Sequence, residues 1–339
     1  MTIVLDALRY LVYVLIFPGF LFCFLTGLLL CGIDHKLVAR MQKRVGPPIL
    51  QPFYDFFKLC GKETIVPAQA SRTVFLMAPL VGLAALVVIQ LFIPVFGFTA
   101  FGAVADMIVV LYLLLIPALS IILGGASSGS PYAGVGLSRE MVTVLACELP
   151  LVLILLAVAK TVGNALGGGL CFSLTRIAAY QIEHGSLIGH LSMIPAAIAF
   201  LLVIPGETGS HPFDAAEAET EICEGMLAEY SGAPLGVYKL SHAVKMLTLT
   251  SLFVALFLGG IGGGIQSLAA AIGPGIGGAV AMLLSILVMF LLCVAVTAVS
   301  ISFVHAVTAR LKIEQIFKYY WTVVSALALL SLVLAWYGL

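Results

Sequence analysis

Charge is scarce in this chain. Only 9% of its 339 residues are Asp, Glu, Lys or Arg, whereas 62% are hydrophobic and the mean hydropathy is +1.19. Soluble domains carry about a quarter charged residues, so this composition excludes an ordinary soluble protein and predicts one polytopic domain in the lipid bilayer. Basic and acidic residues number 16 each, which gives no indication of nucleic-acid binding.

Clustered cysteines are also absent. None of the seven cysteines has the C-x-x-C spacing, and most lie in apolar runs. Zinc and iron–sulfur sites need clustered ligands, so we expect no metal or other cofactor in this chain. The odd number and the scatter argue against a disulfide framework. No Walker or dinucleotide-binding fingerprint is present either.

Long apolar runs are what the sequence does contain. A helix needs about 20 apolar residues to cross roughly 30 Å of hydrocarbon, and its backbone groups must be satisfied within lipid. The predicted fold class is therefore all-α integral membrane, with about eight transmembrane helices. The spans are predicted near 8–31, 74–94, 106–125, 141–162, 188–206, 241–264, 278–302 and 320–338.

Basic residues predict the orientation of these spans. The odd-numbered connections carry nearly all of them, and Arg176 is the one found in an even-numbered connection. By the positive-inside rule the odd connections are cytoplasmic. We therefore expect a multi-pass protein of the cell inner membrane whose two termini lie on the outer side. The basic residues of the odd connections are Lys36, Arg40, Lys43, Arg44, Lys58, Lys62, Arg72, Arg139, Lys239, Arg310, Lys312 and Lys318.

The first connection contains an amphipathic segment, residues 39–63, that is too polar to span. Phe53, Phe56, Phe57 and Cys60 recur at helical spacing, which indicates a helix lying in the interface plane. This helix either anchors the chain against acidic lipid or forms a docking surface for a cytoplasmic partner. The candidate docking residues are Arg40, Lys43, Arg44, Asp55, Lys58 and, on the third connection, Arg139.

Acidic residues are concentrated in one predicted cytoplasmic loop, residues 207–240. Asp214, Glu217, Glu221 and Glu224 are spaced by three, four and three, which predicts one face of a loop helix. Neighbours about 5–6 Å apart repel by roughly 3 kcal/mol, or about two pKa units, so such a row can store and pass protons. The candidate proton-pathway residues of this loop are Glu207, Asp214, Glu217, Glu219, Glu221, Glu224 and Glu229.

A capping box at a helix start is the alternative explanation for Asp214 and Glu217. It leaves Glu221, Glu224 and Glu229 unexplained.

Three more charged residues lie at or inside predicted spans: Glu140, Glu148 and Lys245. An unpaired charge in lipid costs about 3 kcal/mol or more, which indicates either a buried polar pathway or a structural ion pair. His190, His242 and His305 are scattered, and we expect none of them to hold a metal.

Two long segments resemble the signatures of one known family. They are RVGPPILQPFYDFFKL at Arg44–Leu59 and PFDAAEAETEICEG…EYSG at Pro212–Gly232. The family comprises the membrane subunit that borders the quinone chamber of respiratory complex I and its homologues in energy-converting nickel–iron hydrogenases. The resemblance covers most of the chain.

Within the family, the chain resembles the formate hydrogenlyase and ferredoxin-linked hydrogenase branch. This likeness is carried by the compact GPPILQP turn at Gly46–Pro52, the ETG-x-x-PFD entry at Glu207–Asp214, the SREM run at Ser138–Met141 and Lys245. Where the complex I pattern usually has an arginine-rich lead into PFD, this chain has Ser210 and His211.

The resemblance implies a non-catalytic subunit that anchors a cytoplasmic arm and couples its redox chemistry to H⁺ or Na⁺ movement. The nickel–iron centre and the iron–sulfur clusters are expected in partners, namely hydrogenase large and small subunits, iron–sulfur subunits and antiporter-like membrane subunits. By the same resemblance, Asp214, Glu217, Glu219, Glu221, Glu224 and Glu229 match the family's acidic funnel, and Glu140 and Glu148 match the start of its lateral polar axis.

Three rival hypotheses remain open at this point. One is a quinone-site subunit of a complex I-like NADH or ferredoxin dehydrogenase. Another is a stand-alone secondary transporter, which would have broken helices and internal repeats. The last is a purely structural membrane anchor, in which Glu→Gln changes would be silent.

Overall fold

The structure is a computed structural model that describes residues 10–102, 105–272 and 276–338. Helices dominate this part of the chain. In order they are α1 (Phe20–Met41), α2 (Gln51–Cys60), α3 (Arg72–Phe92), α4 (Met107–Ser128), α5 (Pro131–Ala165), α6 (Leu174–His184), α7 (Met193–Thr208), α8 (Gly232–Phe257), α9 (Ile261–Ile272), α10 (Ile276–Thr297), α11 (Phe303–Val307), α12 (Ile313–Tyr319) and α13 (Ser325–Tyr337). The π-helical turns Ala298–Ser302 and Tyr320–Val324 join α10 to α11 and α12 to α13.

Seven helices of the described residues are long and apolar enough to cross a membrane. They are Tyr10–Met41, which includes α1, then α3, α4, α5, α8, Val280–Val307 and Ile313–Tyr337. The apolar α7 has 16 residues and is shorter than these. The prediction of an all-α integral membrane protein is confirmed, with α7 in the place of the predicted fifth span.

Several helices begin or end away from their predicted positions. α8 begins at Gly232 rather than at residue 241, and α5 begins at Pro131 rather than at residue 141. α5 has 35 residues and is therefore roughly 50 Å long, so it extends well beyond the hydrocarbon. The predicted first span, 8–31, starts before the described residues, and α1 continues to Met41. The predicted spans begin after a charged residue that interrupts the apolar run, which is Glu140 in α5 and Lys239 in α8.

The centre of the bundle is α8, whose most apolar window is 94% buried. It packs against α1, α3, α7 and α10, while α5 packs against α7 and α13. Hydroxyl groups on α8 donate hydrogen bonds back to their own helix, as Thr248 does to the carbonyl of Lys245 at 2.9 Å. Because α8 is shielded from lipid on all sides, it can carry polar side chains at the middle of the membrane.

Within the predicted interfacial segment, residues 39–41 are the end of α1 and Gln51–Cys60 form α2. Phe53 and Phe56 pack edge-to-face on Phe24 of α1 at 5.9 and 5.2 Å, and Phe56 also lies next to α8. Phe57 is 61% exposed and Cys60 is exposed, so the apolar face differs from the predicted one. Part of the hydrophobic stripe packs on the protein, and α2 closes one end of the bundle.

Candidate functional site: a charged cavity below the α7–α8 loop

The loop between α7 and α8, residues 209–231, is not the single helix that the acid spacing predicts. It consists of a 3₁₀ turn Ala215–Glu217, a one-turn helix Glu219–Ile222 and a second 3₁₀ turn Gly225–Leu227. Cys223 and Glu224 have left-handed backbone conformations, with φ of 50° and 66°. The four acids therefore do not share one helical face, and that prediction was wrong.

Tertiary contacts with α5, α3 and α4 set the path of this loop. A Cβ on Gly225, which has φ of 52°, would collide with the carbonyl oxygen of Ala216, so glycine permits this close turn. The Arg139 guanidinium on α5 donates a hydrogen bond to the carbonyl oxygen of Ala215, in the first 3₁₀ turn, at 3.1 Å. Tyr230 stacks on Phe75 with ring centroids 4.0 Å apart. The loop is thus a packed cover over the helix ends.

A cavity of about 370 Å³ lies between this loop and the bundle. It extends to Lys245, roughly 20 Å along α8 from the start of that helix. Apolar walls are provided by residues such as Leu28, Phe56 and Pro117. The titratable residues that line it are Cys31, His35, Asp55, Glu140, Glu207, Asp214, Glu217, Glu224, Tyr238, Lys239, His242 and Lys245.

The deepest charged pair of the cavity joins α7 and α8. Lys245 Nζ lies 3.4 Å from Glu207 Oε2, and the two side chains are 11% and 7% exposed. Glu140 of α5 interacts electrostatically with both of them. The intramembrane lysine therefore pairs with Glu207, not with Glu148, and a third charged group lies beside the pair.

Asp214 is bound by an arginine that comes from far along the chain. The Arg310 guanidinium donates from Nε to Oδ1 at 2.9 Å and from Nη2 to Oδ2 at 2.5 Å. Asp214 precedes the first 3₁₀ turn, but its side chain makes no capping hydrogen bond. The capping-box alternative is therefore wrong, because this carboxylate binds a guanidinium instead of backbone amides.

Glu217 is the acid of the loop with the clearest perturbation. Burial, and then the negative charges of Glu140, Asp214 and Glu224, raise the pKa of Glu217 from 4.5 to about 7. The positive charge of Lys239 acts in the opposite direction. A carboxyl group with this pKa exchanges its proton near neutral pH, as a proton relay requires.

Other predicted pathway residues lie outside the cavity. Glu221 pairs with Arg139 at 2.7 Å, and both line a separate cavity of about 250 Å³ that Arg310 also borders. Glu229 is exposed on the loop surface, and Glu148 lies partly exposed on α5. The side chain of Glu219 falls outside the described part of the structure.

The predicted docking residues also separate into two groups. Arg139 is engaged with Glu221, and Asp55 accepts a hydrogen bond from Gln51 at 2.9 Å and lines the charged cavity. The four others are exposed at the α2 end of the bundle, and they are Arg40, Lys43, Arg44 and Lys58.

Sequence reasoning missed several polar residues near the site. Asp34 of α1 is 6% exposed and accepts a hydrogen bond from Ser302 at 2.5 Å. His211 lies beside Asp214, and Arg310 binds Asp214. The sequence indicates neither contact. The sequence signal that could have indicated Asp34 is its position, directly before His35, at the end of an apolar run. Among the described residues, no group of three or more His, Cys, Asp or Glu is arranged to hold a metal ion.

Comparison with known proteins identifies the family of this chain. A family model described as NADH dehydrogenase matches residues 12–336, nearly the whole chain. The chain belongs to this family. The match includes α2, the α7–α8 loop and the helices that form the cavity, and the resemblance found from the two signature segments is confirmed.

Members of the family from different enzyme complexes are similar to this chain. Hydrogenase-4 component C of Escherichia coli is 35% identical over 239 residues, which cover 68% of this chain and 70% of that protein. A subunit of the NADH-quinone oxidoreductase of Thermomicrobium roseum is 38% identical over 254 residues, covering 68% and 72%. A chain of the membrane-bound sulfane sulfur reductase, an archaeal respiratory membrane complex, is 32% identical with a TM-score of 0.82 and coverage of 97% and 98%.

These similarities confirm the functional class that the sequence predicts. The chain is a multi-pass membrane subunit of the family that is shared by energy-converting hydrogenases and complex I. Its relatives are subunits of multi-subunit membrane complexes.

Proposed function

We propose that this chain is the anchor and coupling subunit of an energy-converting nickel–iron hydrogenase complex. It links electron transfer and hydrogen evolution in a cytoplasmic arm to the translocation of H⁺ or Na⁺. The observation that carries the proposal is the charged cavity, which is lined by Lys245 and by carboxylates from α5, α7 and the α7–α8 loop. The similarity to Hydrogenase-4 component C supports the hydrogenase assignment.

Coupling follows from the crowding of these carboxylates. Glu217 interacts electrostatically with Glu140, Asp214 and Glu224, so a change of charge near the loop shifts the protonation of Glu217. Glu207 and Lys245 form the inner end of this system, where the surroundings are least exposed to water. A charge that appears in the cytoplasmic arm is thereby felt in the middle of the membrane.

In this proposal protons leave the cavity along α5, toward Glu148. Glu148 follows Glu140 by eight residues, roughly 12 Å along that helix, and it is partly exposed beside Leu145, which is 64% exposed. A carboxyl group on an apolar membrane face costs about 3 kcal/mol unless a partner covers it. Antiporter-like membrane subunits are the partners that supply the matching polar groups at this face.

The cytoplasmic arm docks at the α2 end of the bundle. Arg40, Lys43 and Arg44 are exposed there, on the same end as the α7–α8 loop. The hydrogenase large and small subunits and the iron–sulfur subunits carry the nickel–iron centre and the clusters. The accumulation of basic residues supports a cytoplasmic position for this end in the cell inner membrane, with the termini outside.

A quinone-site subunit of a complex I-like dehydrogenase is the second candidate. The cavity volume of about 370 Å³ lies within the range of small-molecule sites, and Leu28, Phe56 and Pro117 give it apolar walls. The similarity to the NADH-quinone oxidoreductase of Thermomicrobium roseum points the same way.

Purification of the intact complex decides between the two candidates. We expect the complex to contain nickel and to evolve hydrogen from a reduced low-potential donor. Bound quinone and quinone reduction without nickel would replace the hydrogenase assignment with the second candidate. Reduction of sulfane sulfur without nickel would place the chain with its structural relative instead.

A comparison of two loop acids tests the role of the cavity. Glu224→Gln, in the cavity lining, is expected to lower ion uptake per hydrogen formed about tenfold, because a carboxylate that acts electrostatically on Glu217 is lost. Glu221→Gln is expected to have a smaller effect, since Glu221 lies outside the cavity and pairs with Arg139. The measurement is hydrogen formation and ion uptake in membrane vesicles. Equal ion uptake per hydrogen in both variants and the wild type would contradict coupling through this cavity.

A further inference from the structure

A second cluster of titratable side chains lies next to the charged cavity but does not line it. Asp34 on α1 is buried and is held by Ser302, whose hydroxyl donates to Oδ1 at 2.5 Å. His305 on α11 and His211 on the α7–α8 loop have their ring centroids 4.9 Å apart. Coupling through the cavity, as proposed above, makes no use of these residues.

The two histidines connect Asp34 to the aqueous surface. His305 follows Ser302 by three residues and so lies on the helix side that faces Asp34, with which it interacts electrostatically. The side chain of His211 is 26% exposed. From the surface inward, the order of these titratable groups is therefore His211, then His305, then the buried Asp34 of α1.

Arg310 and Asp214 keep His211 in position. Both oxygens of Asp214 accept hydrogen bonds from the Arg310 guanidinium, and Oδ1 lies 3.6 Å from His211 Nδ1. The other ring nitrogen, Nε2, is 3.3 Å from the carbonyl oxygen of Thr308. His211 thus lies between Asp214 and Thr308, with its ring tilted by 47° against the ring of His305.

We propose that His211 and His305 form a proton inlet that delivers protons from the aqueous surface to Asp34, at the border of the charged cavity. This inference rests on the proposed coupling function. In the transfer step an N–H bond of the His305 imidazolium breaks and an O–H bond forms on the Asp34 carboxylate. His305 is left neutral. It is protonated again when the His211 imidazolium turns one of its N–H groups away from Asp214 or Thr308 and toward His305, and His211 then takes a proton from water.

Other charged and titratable groups surround this path. Cys31 and His35 on α1 contact each other at 3.8 Å, and both line the cavity next to Asp34. Asp214 faces His211 from the loop, and Arg310 faces Asp214 from the connection after α11. Because Asp34 interacts electrostatically with His35, a proton on Asp34 changes the charge next to the cavity.

The test follows the protonation of Asp34 directly in the purified complex. Its infrared carboxyl signal is assigned by difference against Asp34→Asn, and its rise is timed after a rapid drop in pH. His305→Gln and His211→Gln are each expected to slow this rise about tenfold or more, because the relay groups are lost. Added imidazole is expected to restore much of the rate, which a purely structural role of the rings would not allow.

His184→Gln is the matched control. His184 stacks on Tyr180 at 4.5 Å on α6, at the opposite end of the bundle, so its replacement leaves the Asp34 signal unchanged. The rise of the Asp34 signal needs no electron transfer, so it separates the two proposals. An unchanged rise in both histidine variants, or a slowed rise that imidazole leaves slow, overturns the inlet. A slowed and rescued rise in a complex without redox-driven ion uptake upholds the inlet and overturns the coupling function.

Discussion

Replacement of Glu217 by glutamine is expected to reduce ion uptake per turnover by at least about tenfold, with electron transfer retained in uncoupled membranes. The pKa of this group is raised to about 7 by burial and by nearby carboxylates, so it changes its protonation state near neutral pH. Glutamine has a similar shape but holds no exchangeable acidic proton. The measurement is ion uptake and product formation in vesicles, about two pH units either side of neutrality.

The same substitution has a consequence for stability whose sign follows from the pKa. The folded protein binds the Glu217 proton up to about pH 7, whereas the unfolded chain releases it near the ordinary glutamate pKa of 4.5. The contribution of this group to stability therefore falls as pH rises between these values, by up to about 3 kcal/mol. Glu217→Gln is expected to flatten this slope and to be the more stable form above pH 7. Thermal unfolding of the complex across this range measures the effect.

Glu229→Gln provides the control for both measurements. Glu229 lies in the same loop but is exposed and does not line the cavity. Its replacement is expected to leave the coupling and the pH dependence of stability unchanged. If Glu217→Gln behaves like Glu229→Gln, the proposed exchange of protons at Glu217 is wrong.

The membrane-spanning helices were predictable from sequence because lipid leaves the backbone few alternatives. Their ends were less predictable, since charged residues inside α5 and α8, such as Arg139 and Lys239, interrupt the apolar runs after the helices have already begun. α8 shows the consequence most clearly. Its start at Gly232 places Lys245 near the middle of a buried helix, whereas the predicted start at residue 241 places it in the first turns.

The site was predicted in composition but not in geometry. The spacing of Asp214, Glu217, Glu221 and Glu224 assumes a continuous helix, and left-handed residues at Cys223 and Glu224 interrupt it. Those conformations depend on packing against α5, which local sequence does not encode. The loop acids therefore divide between the cavity and its surroundings, and spacing alone could not separate Glu217 from Glu221.

The partners of these acids were hidden by distance along the chain. Asp214 and Arg310 are 96 positions apart, and Asp34 and Ser302 are 268 positions apart. Neither pair leaves a signal in a single sequence. Each residue is ordinary alone, and only the bundle brings α1, the α7–α8 loop and the chain after α11 together.

Replacement of Lys245 by methionine is expected to destabilise the subunit by about 3–5 kcal/mol, because it leaves the buried Glu207 carboxylate without its cation. The double variant Lys245→Met/Glu207→Gln removes both charges and is expected to recover most of that stability. It is not expected to recover ion uptake, since the inner end of the charged cavity has lost its ionisable pair. Thermal unfolding and vesicle assays on the intact complex measure the two effects separately.

Lys160→Met is the matched control for this cycle. Lys160 lies on α5 with its Nζ 4.7 Å from the ring centroid of Trp336, a contact worth about 0.5–1 kcal/mol at an exposed site. Its replacement is expected to change stability slightly and coupling not at all. A Lys245→Met variant as stable as Lys160→Met would show that Glu207 does not need its cation. Restored ion uptake in the double variant would show that the pair is structural, because charge at the inner end of the cavity would then be dispensable for coupling.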